Sequence, residues 1–396
     1  MRESFVLGRG LSRGLHRHWA LRTAAMVGVA MVLGGCSWFS KEKPRNVPAA
    51  LTEFAPAIAA RTRWTASTGG QAGLGFQPVV VGNAVYASDA DGNVGKFDLA
   101  SGREVWKTQV KAKLSAGVGS DGNITAVATT RGEIIALDDS GAIKWRAQAT
   151  SEVTIPPVVG GGMVVVRSGD YRIQAFEIEG GKRRWSVQRP GPALALRSVA
   201  ELLLSGGYVF TGLPGGKVIA ISLDSGAVRW EGTVAVPRGT SELERVADVV
   251  GAPVISGREL CAVTYQGRIG CFDVGSGNST WARDFSGVSG VAADVRFAFA
   301  PNDQSVVFGF SIDSGANVWR QDALQHRKLS GPVSIGRAVA LGDYQGYVHF
   351  LGREDGRLLA RVATDGSPIV TRPLAIPQGV VVQTSRGTLT LIGVGE

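Results

Sequence analysis

Three observations predict the fold class. Tryptophans recur about every forty residues, fifty-five glycines punctuate the 396-residue chain, and the apolar residues fall in short runs of Val, Ile, Ala and Leu. A period near forty with four short alternating strands in each unit predicts an all-β chain, an eight-bladed β-propeller of four-stranded antiparallel blades. The glycines supply tight turns at positive φ, and the β-branched runs suit strands. Charged residues make up 19% of the chain, below the soluble average, as expected when most strands are covered on both faces.

The first element is not part of that fold. Residues 1–35 have the three-part grammar of a secretion signal: Arg2, Arg9, Arg13, Arg17 and Arg22 against Glu3, then an uncharged apolar run from Thr23 to Leu33, then small residues. About ten apolar residues are too few to span a hydrocarbon core of ~30 Å. Leu33-Gly34-Gly35-Cys36 resembles a bacterial lipobox, in which the Cys36 thiol carries the lipid. Ser37 follows, where an aspartate would suggest inner-membrane retention in lipoproteins of this type, so the resemblance implies the periplasmic face of an outer membrane. Acyl chains anchor at about 0.8 kcal/mol per buried methylene, without a spanning helix. Residues 36–60 then read as a lipidated N-terminus and tether, with the propeller over 61–396.

The repeated phrase is a strand, an Asp/Ser-Gly turn and a tryptophan four residues after the glycine. It runs from Phe97 through Asp98, Ser101 and Gly102 to Trp106. It returns with Gly141 and Trp145, Gly181 and Trp185, Gly226 and Trp230, Gly277 and Trp281, and Gly315 and Trp319. A degenerate copy at Gly356 has Ala360 in the tryptophan position, and Trp64 stands at the front without its preceding strands. Successive spacings are 42, 39, 40, 45, 51, 38 and 41 residues. Strands of the first unit are legible at 78–81, 84–87, 94–97 and 104–107. The last interval holds three strands, around 373–376, 380–384 and 388–392, so Trp64 should supply the fourth and close the ring with an N-terminal outer strand. Each tryptophan is expected to wedge between neighbouring blades, contributing about 2–3 kcal/mol of burial.

Composition excludes several functions. The net charge is +9, and losing five arginines and one glutamate with the signal leaves about +5, scattered without a basic stripe. Nucleic-acid binding is therefore not expected. Only His326 and His349 remain after the signal, without a partner motif, and no HExxH, paired CxxC or Gly-x-Ser-x-Gly is present. Asp98, Asp138, Asp224, Asp273 and Asp313 recur with the repeat, which assigns them turn duty, since a catalytic group is singular. No catalytic, cofactor-binding or metal-ligating residue is expected. Cys261 and Cys271 lie on two arms of one hairpin, where a disulfide and two buried thiols are equally compatible with the spacing.

The repeat resembles the tryptophan-docking motif of the quinoprotein alcohol dehydrogenases, which hold pyrroloquinoline quinone and calcium at the centre of eight blades. That resemblance implies an alternative function as a periplasmic quinoprotein-like enzyme or sensor. It lacks the adjacent-cysteine disulfide, a free aromatic floor and unique carboxylates. Lipobox, size and repeat number together more closely resemble the BamB family, lipoproteins of the outer-membrane β-barrel assembly machinery. Leu194-Ala195-Leu196-Arg197 is similar to that family's Leu-x-Leu-Arg loop, and Arg245 to Val250 to its Arg-x-x-Asp-x-Asp segment, with Val250 in place of the second acid. The resemblance implies a non-enzymatic scaffold that contacts the barrel insertase BamA and assists unfolded outer-membrane protein clients. Independently of it, the two longest spacings place extra residues at 188–199 and 235–251, consecutive inter-blade connections on one face. Leu194, Leu196, Arg197, Arg245 and Asp248 are the expected partner-binding residues, with Leu243 and Glu244 beside them.

Overall fold

The structure, a computed structural model, describes residues 46–192, 194–196 and 200–395. The expected lipidation site, Cys36, and the expected contact residue Arg197 lie outside the described residues. Among the described residues there are thirty-two strands and no helix, arranged as eight four-stranded antiparallel sheets. Blades 1 to 7 span residues 79–109, 114–148, 158–187, 202–233, 249–285, 292–321 and 333–363, each with its strands in chain order from the axis outward. Blade 8 combines Leu374–Ile376, Gly379–Gln383 and Thr388–Gly395 with Ala59–Ser67 as its outer strand. Ala59 pairs with Gly395 and Ser67 with Thr388, so the two ends of the propeller meet in one sheet and close the ring.

The core lies in the seams between blades. Eight apolar clusters form, one for each neighbouring pair, with Val164 and Phe176 of blade 3 meeting Ala126 and Ile134 of blade 2, for example. Every tryptophan of the repeat closes such a seam. Its indole nitrogen donates to a carbonyl of the next blade, from Trp64 to Leu99 at 2.8 Å through to Trp319 and Arg353 at 2.9 Å. A β-bulge directs each one there. The residue before the tryptophan is unpaired in seven blades, and the residue before Ala360 in the eighth, as Val105 is between Lys96↔Trp106 and Phe97↔Glu104. Bulges add twist and re-aim side chains, which is the effect here. The ring then rests on the repeat glycine of the next blade. Gly102 has φ +70°, and a Cβ there would come within 2.6 Å of the Trp64 indole.

The seam between blades 7 and 8 is different. Ala360 is buried where a tryptophan would be, and Ile58 packs in its cluster. The chain before Ala59 runs along the outer strand of blade 7: the Ala57 amide donates to Leu359 O at 2.8 Å, and Arg337 and Arg361 donate to Ala57 O and Thr52 O. Arg361 also lies 5.4 Å from the Phe54 ring centre. Ala49 reaches the connection between blades 6 and 7, where it exchanges bonds with Gln325 O and the Arg327 guanidinium. That guanidinium is itself buried against Asp343, which also meets His349 at 2.9 Å. Half of the segment expected to be a spacer is thus fixed on the ring. Cys261 and Cys271 are direct cross-strand partners and form a disulfide, which decides between the two readings of that hairpin.

Candidate partner-binding face

Strands alternate in direction, so the inter-blade connections and the turns between second and third strands share one face, here called the connection face. Six of the eight inter-blade connections have between four and eleven residues between strands. The connections 188–201 and 234–248, with fourteen and fifteen, are the two longest and flank blade 4. The structure brings them together through Asp248. One carboxylate oxygen accepts from the Leu196 amide at 2.5 Å and the other from the Gly215 amide at 2.8 Å. The Asp248 carbonyl accepts from the Tyr265 amide at 2.9 Å, which ties in blade 5.

The expected residues therefore divide into two groups. Leu194 is exposed, as expected of a contact residue. Asp248 is buried and Leu196 half-buried against the blade 5–6 cluster, and neither presents its side chain freely to a partner. Asp248 is buried, and its two oxygens hold the amides of two different segments, so it acts as a brace between them. Arg245 is held within its own loop, donating to Gly239 O at 3.1 Å and pairing with Glu242 at 3.4 Å. Ser241 and Glu244 cap each other reciprocally: Glu244 Oε2 accepts from the Ser241 amide, and Ser241 Oγ from the Glu244 amide. The Thr240 and Ser241 amides hold the Glu244 carboxyl below its ordinary range. This braced turn presents Leu243, which is 70% exposed, with Val236 exposed on the same connection. The loop patterning singled out Leu243 but not Val236, which follows the buried Val234 and Ala235 and looks in the sequence like a continuation of them. Val250 is buried in the cluster between blades 5 and 6, so the position of the missing second acid is apolar here.

The ring axis is crossed by the chain's own side chains. With its amide oriented to satisfy both neighbours, Gln77 donates to Glu201 at 3.3 Å and accepts from Arg372 Nε at 3.2 Å. These residues precede the inner strands of blades 1, 4 and 8. Blades 4 and 8 are opposite in an eight-membered ring, so this bridge spans the centre. Burial raises the Glu201 pKa, and Arg372 opposes the shift. Among the described residues no group of three His, Cys, Asp or Glu is placed to hold a metal ion.

Comparison with known proteins agrees with this architecture. The family model described as outer membrane protein assembly factor BamB matches residues 90–321 and 302–394. The chain is 59% identical over 374 residues to the outer membrane protein assembly factor BamB of Bordetella pertussis, covering 94% of this chain and 97% of the relative. It is 42% identical over 364 residues to that of Burkholderia pseudomallei, covering 92% and 95%. The crystal structure of BamB from Moraxella catarrhalis superposes with a TM-score of 0.77 at 24% identity, over 85% of this chain and 100% of that one. An eight-bladed ring with two braced connections flanking blade 4, matched along nearly its whole length by these relatives, places this chain in the BamB family of outer membrane protein assembly factors.

Proposed function

We propose that the chain is a non-enzymatic scaffold subunit of the outer-membrane β-barrel assembly machinery. It binds the periplasmic domains of the barrel insertase BamA through the connection face and assists delivery and insertion of outer-membrane proteins. Residues 1–35 act as a lipoprotein signal peptide, lipid on Cys36 holds the mature chain at the periplasmic face of the outer membrane, and the propeller is the working domain. The observation that carries this reading is the pair of long connections locked together by Asp248, which present Leu194, Val236 and Leu243 from a rigid ring. Apolar side chains beside charges on a pre-formed surface are what a protein hot spot requires. The names of the relatives support the assembly role.

A quinoprotein centre does not fit these residues. Quinone at the axis needs an aromatic floor and open space, whereas each repeat tryptophan is docked in a seam and Gln77, Glu201 and Arg372 cross the centre. No step through pyrroloquinoline quinone or calcium follows from this geometry.

The test is capture of purified BamA periplasmic domains by the parent protein and by Leu194→Asp and Leu243→Asp. Both residues are exposed, so Tm should hold while affinity falls about tenfold or more, the scale of a lost hot spot. Parent-like binding by both variants would remove this face from consideration. Fractionation tests the anchor separately: Cys36→Ala should move the protein from the membrane to the soluble periplasmic fraction.

A further inference from the structure

Arg167 ends the second strand of blade 3, Met163–Arg167, on the connection face. Its side chain belongs to a residue that is only 8% exposed. Nη1 donates to Ala200 O at 2.8 Å, and the guanidinium lies 5.7 Å from the Tyr171 ring centre. Arg167 forms no ion pair with any described carboxylate. Burial lowers its pKa to about 10, Tyr171 and Asp248 pulling the other way, so the group stays cationic at neutral pH. A desolvated cation that bonds only a carbonyl and a ring, with Asp248 acting on it without an ion pair, is costly.

A second observation concerns Tyr171. It closes the turn between the second and third strands of blade 3, its amide donating to Ser168 O. Gly92, Gly132, Gly346 and Gly387 occupy the same place with the same bond in blades 1, 2, 7 and 8, all at positive φ. Tyr171 takes that conformation at φ +62°. A bulky residue in the left-handed region costs about 1–2 kcal/mol and persists where the surroundings demand it. Here the result is an aromatic wall beside a buried guanidinium. Between them and Ala195 opens a cavity of about 310 Å³, which Thr154 and Glu152 also line. Glu152 is engaged with a partner of its own.

We propose that this cavity receives a carboxylate side chain of the protein partner, with Arg167 as the counter-charge and Tyr171 as the wall that excludes water. Ala195 belongs to the connection that presents Leu194, so an occupant of the cavity also meets the proposed partner face. The inference rests on that face being the binding face and adds the chemistry of what it recognises. Arginine beside an aromatic plane is suited to a desolvated carboxylate.

The experiment titrates the full-length protein with BamA periplasmic domains at several salt concentrations, using Arg167→Gln, Gly169→Leu and Leu243→Asp. A Cβ at Gly169 meets only ordinary contacts, at 3.5 Å, so the leucine fills the cavity while Arg167 stays intact. Removing one partner of a buried interfacial charge pair should weaken capture about thirtyfold or more, with a flatter salt dependence than the parent. Gly169→Leu should weaken it similarly, and it carries the test alone if Arg167→Gln does not fold. If Gly169→Leu and a folded Arg167→Gln bind like the parent while Leu243→Asp fails, the carboxylate site is wrong and the face stands. If all three bind like the parent, the face itself is wrong.

Discussion

Asp248 shows how one carboxylate can decide a loop's shape without meeting a partner. Its oxygens satisfy the amides of Leu196 and Gly215 from two different segments. Asp248→Ala leaves both amides without acceptors and should lower stability by about 1–3 kcal/mol, the cost of unsatisfied buried groups. Thermal unfolding checks this, and a Tm equal to the parent's would mean water replaces the carboxylate. The repeat aspartates act on a more local scale. The hydroxyls of Ser101, Ser140 and Ser276 hold Asp98, Asp138 and Asp273 below the ordinary aspartate value of 3.8. A lowered folded pKa means that the contribution is complete above the unfolded value and is lost as pH falls through the folded one. Tm should therefore decline on acidification below about pH 4. The triple variant Asp98→Asn, Asp138→Asn, Asp273→Asn should show a shallower acid limb, because an amide still accepts the turn bond but does not titrate. An unchanged limb would assign the acid response to other groups. At Cys261 and Cys271 the expectation is simpler: denatured, unreduced protein should offer neither thiol to a labelling reagent.

At the scale of the element, the outer strand, its bulge and the next blade's glycine work as one joint. The bulged residue turns the tryptophan sideways, and the glycine leaves room for the indole. Gly226 has φ +73° and a Cβ there would approach the Trp185 ring to 2.8 Å. Gly226→Ala should cost about 1–3 kcal/mol through overpacking, read as a fall in Tm. The exceptional seam gives an independent test. Ala360 looks in the sequence like a decayed tryptophan, but it faces Ile58 and the chain before Ala59 instead of a glycine turn. Ala360→Trp should therefore destabilise the ring, although it restores the repeat. A rise in Tm would show that the seam keeps space for an indole.

Across the whole molecule, closure depends on the N-terminal strand and on the segment that leads to it. Ala59–Ser67 completes blade 8, while residues 49–58 cover the outer strand of blade 7. These layers should separate in truncation. Removing the chain through residue 58 should lower Tm modestly and make Leu358–Ala363 more accessible to hydrogen exchange, since it removes the cover but keeps closure. Removing it through Ser67 opens the ring and exposes the edge of Thr388–Gly395, so the protein should melt at a much lower temperature and aggregate. Equal Tm values for the two truncations would mean that the ring does not depend on the closing strand.

How much of this was legible follows from what repeats and what does not. A tryptophan every forty residues, four residues after an Asp/Ser-Gly turn, determined blade number, strand order and closure at Trp64, because a repeat carries its own register. Loop length alone located the connections flanking blade 4. The bulge was hidden, since a residue such as Val105 looks like any strand residue until its partners are paired. The burial of Asp248, the half-burial of Leu196 and the cation of Arg167 were hidden for another reason: they depend on contacts between segments tens of residues apart. A polar residue in a loop looks exposed in one dimension. Only the closed ring, by bringing the Leu196 and Gly215 amides to Asp248, makes it an internal brace.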